Sequence, residues 1–574
     1  MLRFLAALAA ALLAVAAPAA AEGDAFAPKV LSDADRALYE EIFALQDEAD
    51  WRGADRKIAA LEDRSLLGYV MMERYLHPTA YRSTYEELKA WMAYYADHPE
   101  ADRIYALAKR KRPRGAAPPL APLPRKWRDE PQAPLHPELE RDYAKTSRPL
   151  LAQIEGRVRH LTKREQASTA LKEIENRLKR GSITARQFDR MRSWIAASLY
   201  YQGYIARAKE IADDVSLKSG DSAVLAYWIS GLIRFREGDA ATAHERFSAM
   251  AKVKEQEPAL RSAAGFWAAR TALAAGRAAD VASNLEIAAE FPFTFYGQLA
   301  LAQLGRRYDY NWTPPSLTRE SFEALAAAEP SVRRAVALIE VGRRNEADLE
   351  FRWINGRVSD ERAVDLLAVE AALDLPAAQL DLALGRQGRE FEAGLFPIPA
   401  YAPANGFTAN PALIYALMRQ ESKFKVEATS RVGARGLMQL MPRTASYMAK
   451  DQSLKGRGKD KLYDPAVNLS IGQDYVNHLI ETAAGGDLFD MALAYNGGPG
   501  NLRRWKREVA IDDPLLFIES VPNPESRDFV EKVLTNFWVY SQRLGKNPTS
   551  RDRVAAGELP LYEAMEAIAA GAGK

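Results

Sequence analysis

The sequence predicts a mainly α protein: an N-terminal α-superhelical solenoid of TPR-like helix pairs, followed by a compact and mostly helical domain that carries the chemistry. Three observations lead there. Helical periodicity runs through 33–112 and again through 316–392. Between them three segments align as Trp194…Gly203…Ala208, Trp228…Gly238…Ala243 and Trp267…Gly276, with tryptophans 34 and 39 residues apart and glycines 35 and 38 apart. An aromatic in the first helix, a glycine in the turn and small residues in the second is the pattern of stacked helix pairs, none of which buries its apolar face alone. Beyond Pro399, one helix carries a carboxylate, Glu421, on its apolar stripe.

In chain order, the first 21 residues read as an export signal. Arg3 gives the positive start, Phe4 to Val15 the apolar run, and Ala19-Ala20-Ala21 the small-residue cleavage site. The other reading, a short membrane anchor, needs a longer span. No cysteine follows the cleavage site, so a lipoprotein is excluded and a soluble periplasmic protein without a stable membrane span is expected. Residues 22–112 form the first helical segment. Its aromatics (Trp51, Tyr69, Tyr75, Tyr85, Trp91, Tyr94, Tyr95, Tyr105) suit helix packing better than sugar platforms on burial statistics. Residues 113–149 hold Pro118-Pro119, Pro122, Pro124, Pro131, Pro134 and Pro137 and read as a linker or a strap over the helices. The solenoid occupies 150–315, a helical linker domain 316–400 and the last domain 401–574, with Phe396-Pro397-Ile398-Pro399 as an extended boundary.

Composition removes several function classes. The length of 574 residues implies two to four domains, and 48% hydrophobic with 27% charged residues is ordinary for a folded soluble chain. A formal charge of +2 gives no global field for nucleic acid. There is no cysteine, hence no disulfide, thiol nucleophile or Cys-ligated metal. The six histidines (His77, His98, His136, His160, His244, His478) are scattered and form no HExxH, and neither a Walker A loop nor a GxSxG elbow is present. No cofactor and no metal is expected.

The stretch Asn410 to Pro442 reads NPALIYALMRQESKFKVEATSRVGARGLMQLMP. Asn410 suits the N-cap and Pro411 the first helical position, where its missing N–H costs nothing. Ile414, Leu417 and Met418 mark a buried stripe, and Glu421 falls on it. A carboxyl without a partner on an apolar face has its pKa raised, the condition for a general acid near neutrality. Taken alone, such a glutamate at a frayed helix end reaching water is the commoner case.

The neighbouring motifs change that balance. Glu421-Ser422 with Gly436-Leu437-Met438-Gln439-Leu440-Met441-Pro442 resembles the catalytic core of the soluble lytic transglycosylases, whose goose-type lysozyme-like fold cleaves peptidoglycan glycan strands. Asp464-Pro465, Asn468, Gly472 and Tyr475 resemble DPxxNxxxGxxY, where capping and packing roles suit most positions. Ala494-Tyr495-Asn496-Gly497-Gly498 resembles AYNAG with glycine for the second alanine. Glu519-Ser520-Val521-Pro522 through Val530 resembles E-x-I-P-x-x-E-T-R-x-Y-V, with Val521, Ser526 and Phe529 as departures; Phe529 lacks a hydroxyl. Thr294 to Ala300 (TFYGQLA) resembles the end of that family's superhelical domain, whose helices curl into a ring. The basic loop Lys455 to Lys461 (KGRGKDK) is read as solvated, with contact to anionic stem peptides as the alternative.

The resemblance implies Glu421 as the catalytic residue and Ser422, Gln439, Met441, Tyr495, Asn496 and Glu519 as substrate-binding residues, with Glu525 and Arg527 paired structurally. It implies a monomer acting on peptidoglycan glycan strands, with cell-wall synthesis proteins as an open further partner. Glu421 would protonate the bond between N-acetylmuramic acid and N-acetylglucosamine, then act as base on the muramoyl C6 hydroxyl to give a 1,6-anhydro product. Two alternatives stay open: a hydrolytic muramidase, and a non-catalytic glycan-binding helical scaffold.

Overall fold

The structure, a computed structural model, describes residues 26–124 and 134–563. The export signal at 1–21 lies outside the described residues, as does the middle of the proline-rich stretch. The described chain is mainly helical and forms no β-strand, only three isolated bridges. No helix in it is long and apolar enough to cross a membrane.

Two compact units are formed, and they cut across the linear order. The first joins the chain up to Pro124 with Pro315–Leu373; the second joins Arg125–Pro314 with Asp374–Lys574. The segment 316–400 is therefore shared: its helices up to Ala372 belong with the N-terminal ones, and Pro376–Leu384 belongs with the C-terminal domain.

In the first unit the predicted aromatics serve packing except Tyr94, which is 80% exposed. Tyr39, Tyr69, Tyr85 and Trp91 are buried in one core with Leu66, Leu88, Met92 and Ile104. The Trp91 ring N–H donates to the Gly68 carbonyl at 2.9 Å, satisfying the polar end of a buried ring. Thr84 and Glu87 form a reciprocal capping box at the start of helix Tyr85–Tyr95. Residues 113–124 are a strap against these helices: the Tyr85 hydroxyl donates to the Ala117 carbonyl, and the Leu123 N–H to the Ala96 carbonyl at 2.9 Å. Past the undescribed gap the strap expectation fails. Pro137 and Pro149 occupy the first turns of helices Pro137–Lys145 and Arg148–Lys163, where proline is tolerated, so the proline count there marks helix starts.

The second unit contains the repeats. Helices Ala185–Tyr201 and Ile205–Ser219, Leu225–Arg236 and Ala240–Lys252, and Pro258–Ala274 and Val281–Ala289 form three successive pairs. Gly203, Gly238 and Gly276 sit in their turns at φ +83°, +83° and +73°, a conformation that penalises any side chain. Trp228 and Trp267 meet edge to face at 6.3 Å, so aromatics from neighbouring pairs share one core. That core continues without a break into the helices after Pro376. The array and the C-terminal domain are locked by polar bonds as well: Arg270 pairs with Asp513, the Tyr200 hydroxyl bonds the Ser520 hydroxyl at 2.7 Å, and the Tyr296 hydroxyl donates to Glu519.

Candidate active site

Helix Pro411–Glu421 starts as its sequence dictates. The Asn410 side chain accepts the Ala412 N–H at 3.0 Å, and Pro411 takes the first turn. Ile414, Leu417 and Met418 are fully buried, while Glu421 ends the helix half-buried. Lys423 and Phe424 then adopt φ of +50° and +61°, a sharp exit that returns Phe424 to the core. Among the described residues nothing donates a hydrogen bond to the Glu421 carboxyl. Burial, and second the charge of Glu525, push its pKa up to about 8. The negative end of its own helix acts in the same direction. Burial thus biases the Glu421 carboxyl toward its protonated form near neutral pH.

The wall that Tyr495 connects with Glu421 is Gly436 to Met441. Gly436 lies at φ +74°, and a Cβ there would come within 2.1 Å of the Leu462 carbonyl. Asn468 clamps this turn: its amide donates to the carbonyls of Arg435 (3.0 Å) and Leu462 (2.8 Å), and its oxygen accepts the Met438 N–H at 2.8 Å. Gly472 leaves room for the Met438 sulfur, which a Cβ would meet at 2.1 Å. The DPxxNxxxGxxY pattern therefore builds the wall. Tyr495 closes it, its hydroxyl donating to the Met438 carbonyl at 2.7 Å and its ring lying 5.6 Å from that of Tyr475. Burial and the nearby Glu421 charge hold the Tyr495 hydroxyl well above its ordinary pKa.

The remaining candidates divide. Gln439, at φ +46°, spends its amide N–H groups on the carbonyls of Ala428 (3.0 Å) and Gly436 (2.9 Å), leaving its oxygen as an acceptor. Met441 is exposed beside it. The Ser422 hydroxyl is buried and donates to the Met418 carbonyl at 3.1 Å, within its own helix end. Asn496 accepts from the Ser526 hydroxyl at 2.6 Å. Glu519 is not brought to this group. It is buried against Tyr296 of the helical array and beside Glu531, and burial holds both carboxyls above the usual range.

Two residues carry more than the sequence reading assigned them. Glu525 and Arg527 do not pair. Both lie in helix Pro524–Arg543, and residues two apart on a helix face different ways. Arg527 stacks on Tyr201, 3.6 Å from the ring centroid, and donates to the Val521 carbonyl, whereas Glu525 is exposed and its charge acts on Glu421. That two-residue spacing was the available signal. Trp505 is the other: its ring fills the place of the methyl that Gly497 lacks, a Cβ at 497 falling 2.5 Å from it. Nothing local in the sequence linked the two.

Among the described residues no cluster of His, Asp or Glu is arranged to hold a metal ion. The arrangement instead offers one neutral carboxylic acid, a second carboxylate and a polar wall. That combination suits acid-catalysed cleavage of a glycosidic bond.

Comparison with known proteins agrees with this geometry. Residues 400–517 match the family described as the transglycosylase SLT domain. The soluble lytic murein transglycosylase of Escherichia coli K12 is 38% identical over 136 residues, 23% of this chain and 21% of the relative. A putative soluble lytic murein transglycosylase of Haemophilus influenzae is 27% identical over 271 residues, 43% of this chain and 42% of the relative. The matches thus span about a fifth to two-fifths of those relatives. In three dimensions the 70 kDa soluble lytic transglycosylase of E. coli superposes with a TM-score of 0.63 at 20% identity, covering 91% of this chain and 98% of that one. An inactive mutant of lytic transglycosylase Slt from Pseudomonas aeruginosa gives 0.52 at 19% identity, covering 89% and 87%. These two likenesses establish the fold. Residues 400–517 thus form a transglycosylase SLT domain, and the chain as a whole has the fold of the soluble lytic transglycosylases, with that domain following a helical array.

Proposed function

We propose that this protein cleaves the β-1,4 bond between N-acetylmuramic acid and N-acetylglucosamine in peptidoglycan and closes a 1,6-anhydro ring on the muramoyl residue. The observation that carries the reading is Glu421, a half-buried carboxyl with no hydrogen-bond donor among the described residues and a pKa pushed up to about 8 by burial. Protonated, it gives its proton to the glycosidic oxygen, and the C1–O bond breaks. The resulting carboxylate then takes the proton of the C6 hydroxyl as that oxygen bonds C1. The nucleophile is tethered in the substrate, so the step is intramolecular and Glu421 ends as it began.

The transition state is positive at C1, and what it needs nearby are acceptors. With their N–H and O–H groups spent on backbone carbonyls, Gln439 and Tyr495 have acceptor lone pairs left over, and the substrate's own acetamido group supplies a third. Ser422 fixes the helix end that carries Glu421, Asn496 ties the helix of Tyr495 to helix Pro524–Arg543, and Met441 gives an apolar edge for a sugar ring. Relatives named for acting on murein support the substrate class. A periplasmic location suits that substrate.

Glu525 favours one competing reading. A second carboxylate could activate water and make the protein a hydrolytic muramidase. Digestion of purified sacculi in 18O-water, followed by mass spectrometry, separates them. Products ending in 1,6-anhydro-N-acetylmuramic acid without label are expected; labelled reducing ends would establish hydrolysis, and intact sacculi would leave a glycan-binding scaffold.

A further inference from the structure

We infer that the loop Lys455–Lys461 is a binding site for the free carboxylates of the stem peptides carried by the glycan, a specificity element outside the wall around Glu421. This rests on the function proposed above and names what part of the substrate the site reads. From Lys450 to Lys461 the chain carries five cations against two carboxylates, in a protein whose formal charge is only +2. The two carboxylates are already engaged: Asp451 lies 3.5 Å from Lys461, and Asp460 lies 3.0 Å from Arg435. Lys455, Arg457 and Lys459 have no ion-pair partner among the described residues; Lys455 meets only the Gln452 amide oxygen, at 2.9 Å.

A solvated surface loop would hold such charges loosely. This one is pinned. It consists of two tight turns, Gln452–Lys455 and Arg457–Tyr463, whose Leu454 and Leu462 are 2% and 0% exposed. Gly458 packs so closely on Ser453 that a Cβ would fall 2.5 Å from its hydroxyl. The Tyr463 hydroxyl bonds that of Thr429 at 2.6 Å. The anchor also belongs to the wall: Asn468 accepts the Met438 N–H and donates to the Leu462 carbonyl. The backbone that carries the cations is therefore fixed relative to the wall bonded by Tyr495, while the Lys455 and Arg457 side chains stay exposed. A pinned backbone lowers the entropic cost of binding, and the alternation of the cations along the loop suits carboxylates spaced along a peptide.

The test is a pull-down of the full chain carrying Glu421→Gln, so that glycan is not consumed, on bead-tethered glycan strands prepared from sacculi, either with stem peptides (intact sacculi) or freed of them by an amidase (stripped sacculi). Adding Lys455→Gln, Arg457→Gln and Lys459→Gln together is expected to weaken binding to intact sacculi about five- to tenfold, the sum of three exposed charge pairs. Binding to stripped sacculi should not change, and the difference should vanish at about 0.5 M salt. Equal binding by both proteins to both forms overturns the inference. So does an equal loss on both, or no binding to either. If the chain with native Glu421 cuts neither form while the difference in binding persists, the proposed reaction fails and the peptide site stands.

Discussion

The Phe529 ring lies parallel to that of Tyr495, 10° between planes and 6.0 Å between centroids. This stack joins helix Pro524–Arg543 to helix Leu488–Gly497 and holds the Tyr495 hydroxyl on the Met438 carbonyl. The hydroxyl that Phe529 lacks is not needed for this duty, because the contact is made by ring faces. Tyr495→Phe should keep the stack and leave the Met438 carbonyl without its donor. We expect a loss of about 1–2 kcal/mol by chemical denaturation, with slower turnover of sacculi. An unchanged midpoint would show that the bond adds nothing.

Glu421→Gln keeps the shape of the side chain and removes its charge. The folded pKa is raised to about 8 from an ordinary value of 4.5, so the folded state binds this proton more tightly than the unfolded one. Ionisation then costs stability, beginning as pH rises through the unfolded value and complete above the folded one. The variant should lose cleavage and be equal to wild type in stability near pH 4. At pH 7 it should be as stable or more so, by up to about 3 kcal/mol. Melting both proteins from pH 4 to 9 checks the sign; a variant less stable at pH 7 would mean that Glu421 anchors a structural pair.

Glu525→Gln removes the one neighbouring charge that adds to burial at Glu421. The alkaline limb of kcat/KM reports the free enzyme's acid. It should move to lower pH by a fraction of a unit, because burial is the larger cause and remains. A limb that does not move would place the Glu525 charge too far away to matter.

Gly497→Ala restores the alanine of the AYNAG pattern but drives a methyl into the Trp505 ring, 2.5 Å away. Overpacking of this kind costs about 1–3 kcal/mol. Thermal unfolding should show the loss, and Trp505→Phe should relieve part of it. A neutral or stabilising Gly497→Ala would mean that the ring moves aside freely.

The sequence by itself determined the helical class, the helix pairs and the order of the site's motifs, because these depend on short-range rules. Gly203, Gly238 and Gly276 announced turns through a backbone conformation that only glycine adopts freely, and Asn410-Pro411 announced a helix start through its capping chemistry. Glu421 stood out because its position on an apolar stripe is a local property.

What the fold alone decided are relations between residues far apart in the chain. Whether a carboxyl near a binding motif meets solvent or protein depends on what packs over it: Glu519 is covered by Tyr296, 223 residues earlier, while Glu525, six residues later, stays exposed and acts on Glu421. The proline-rich stretch shows the same limit, since proline fixes its own φ but not whether a helix follows, and the described part divides into a strap and two helix starts. Burial and the sharing of one core are sums over the whole packed chain, and a local pattern cannot contain them.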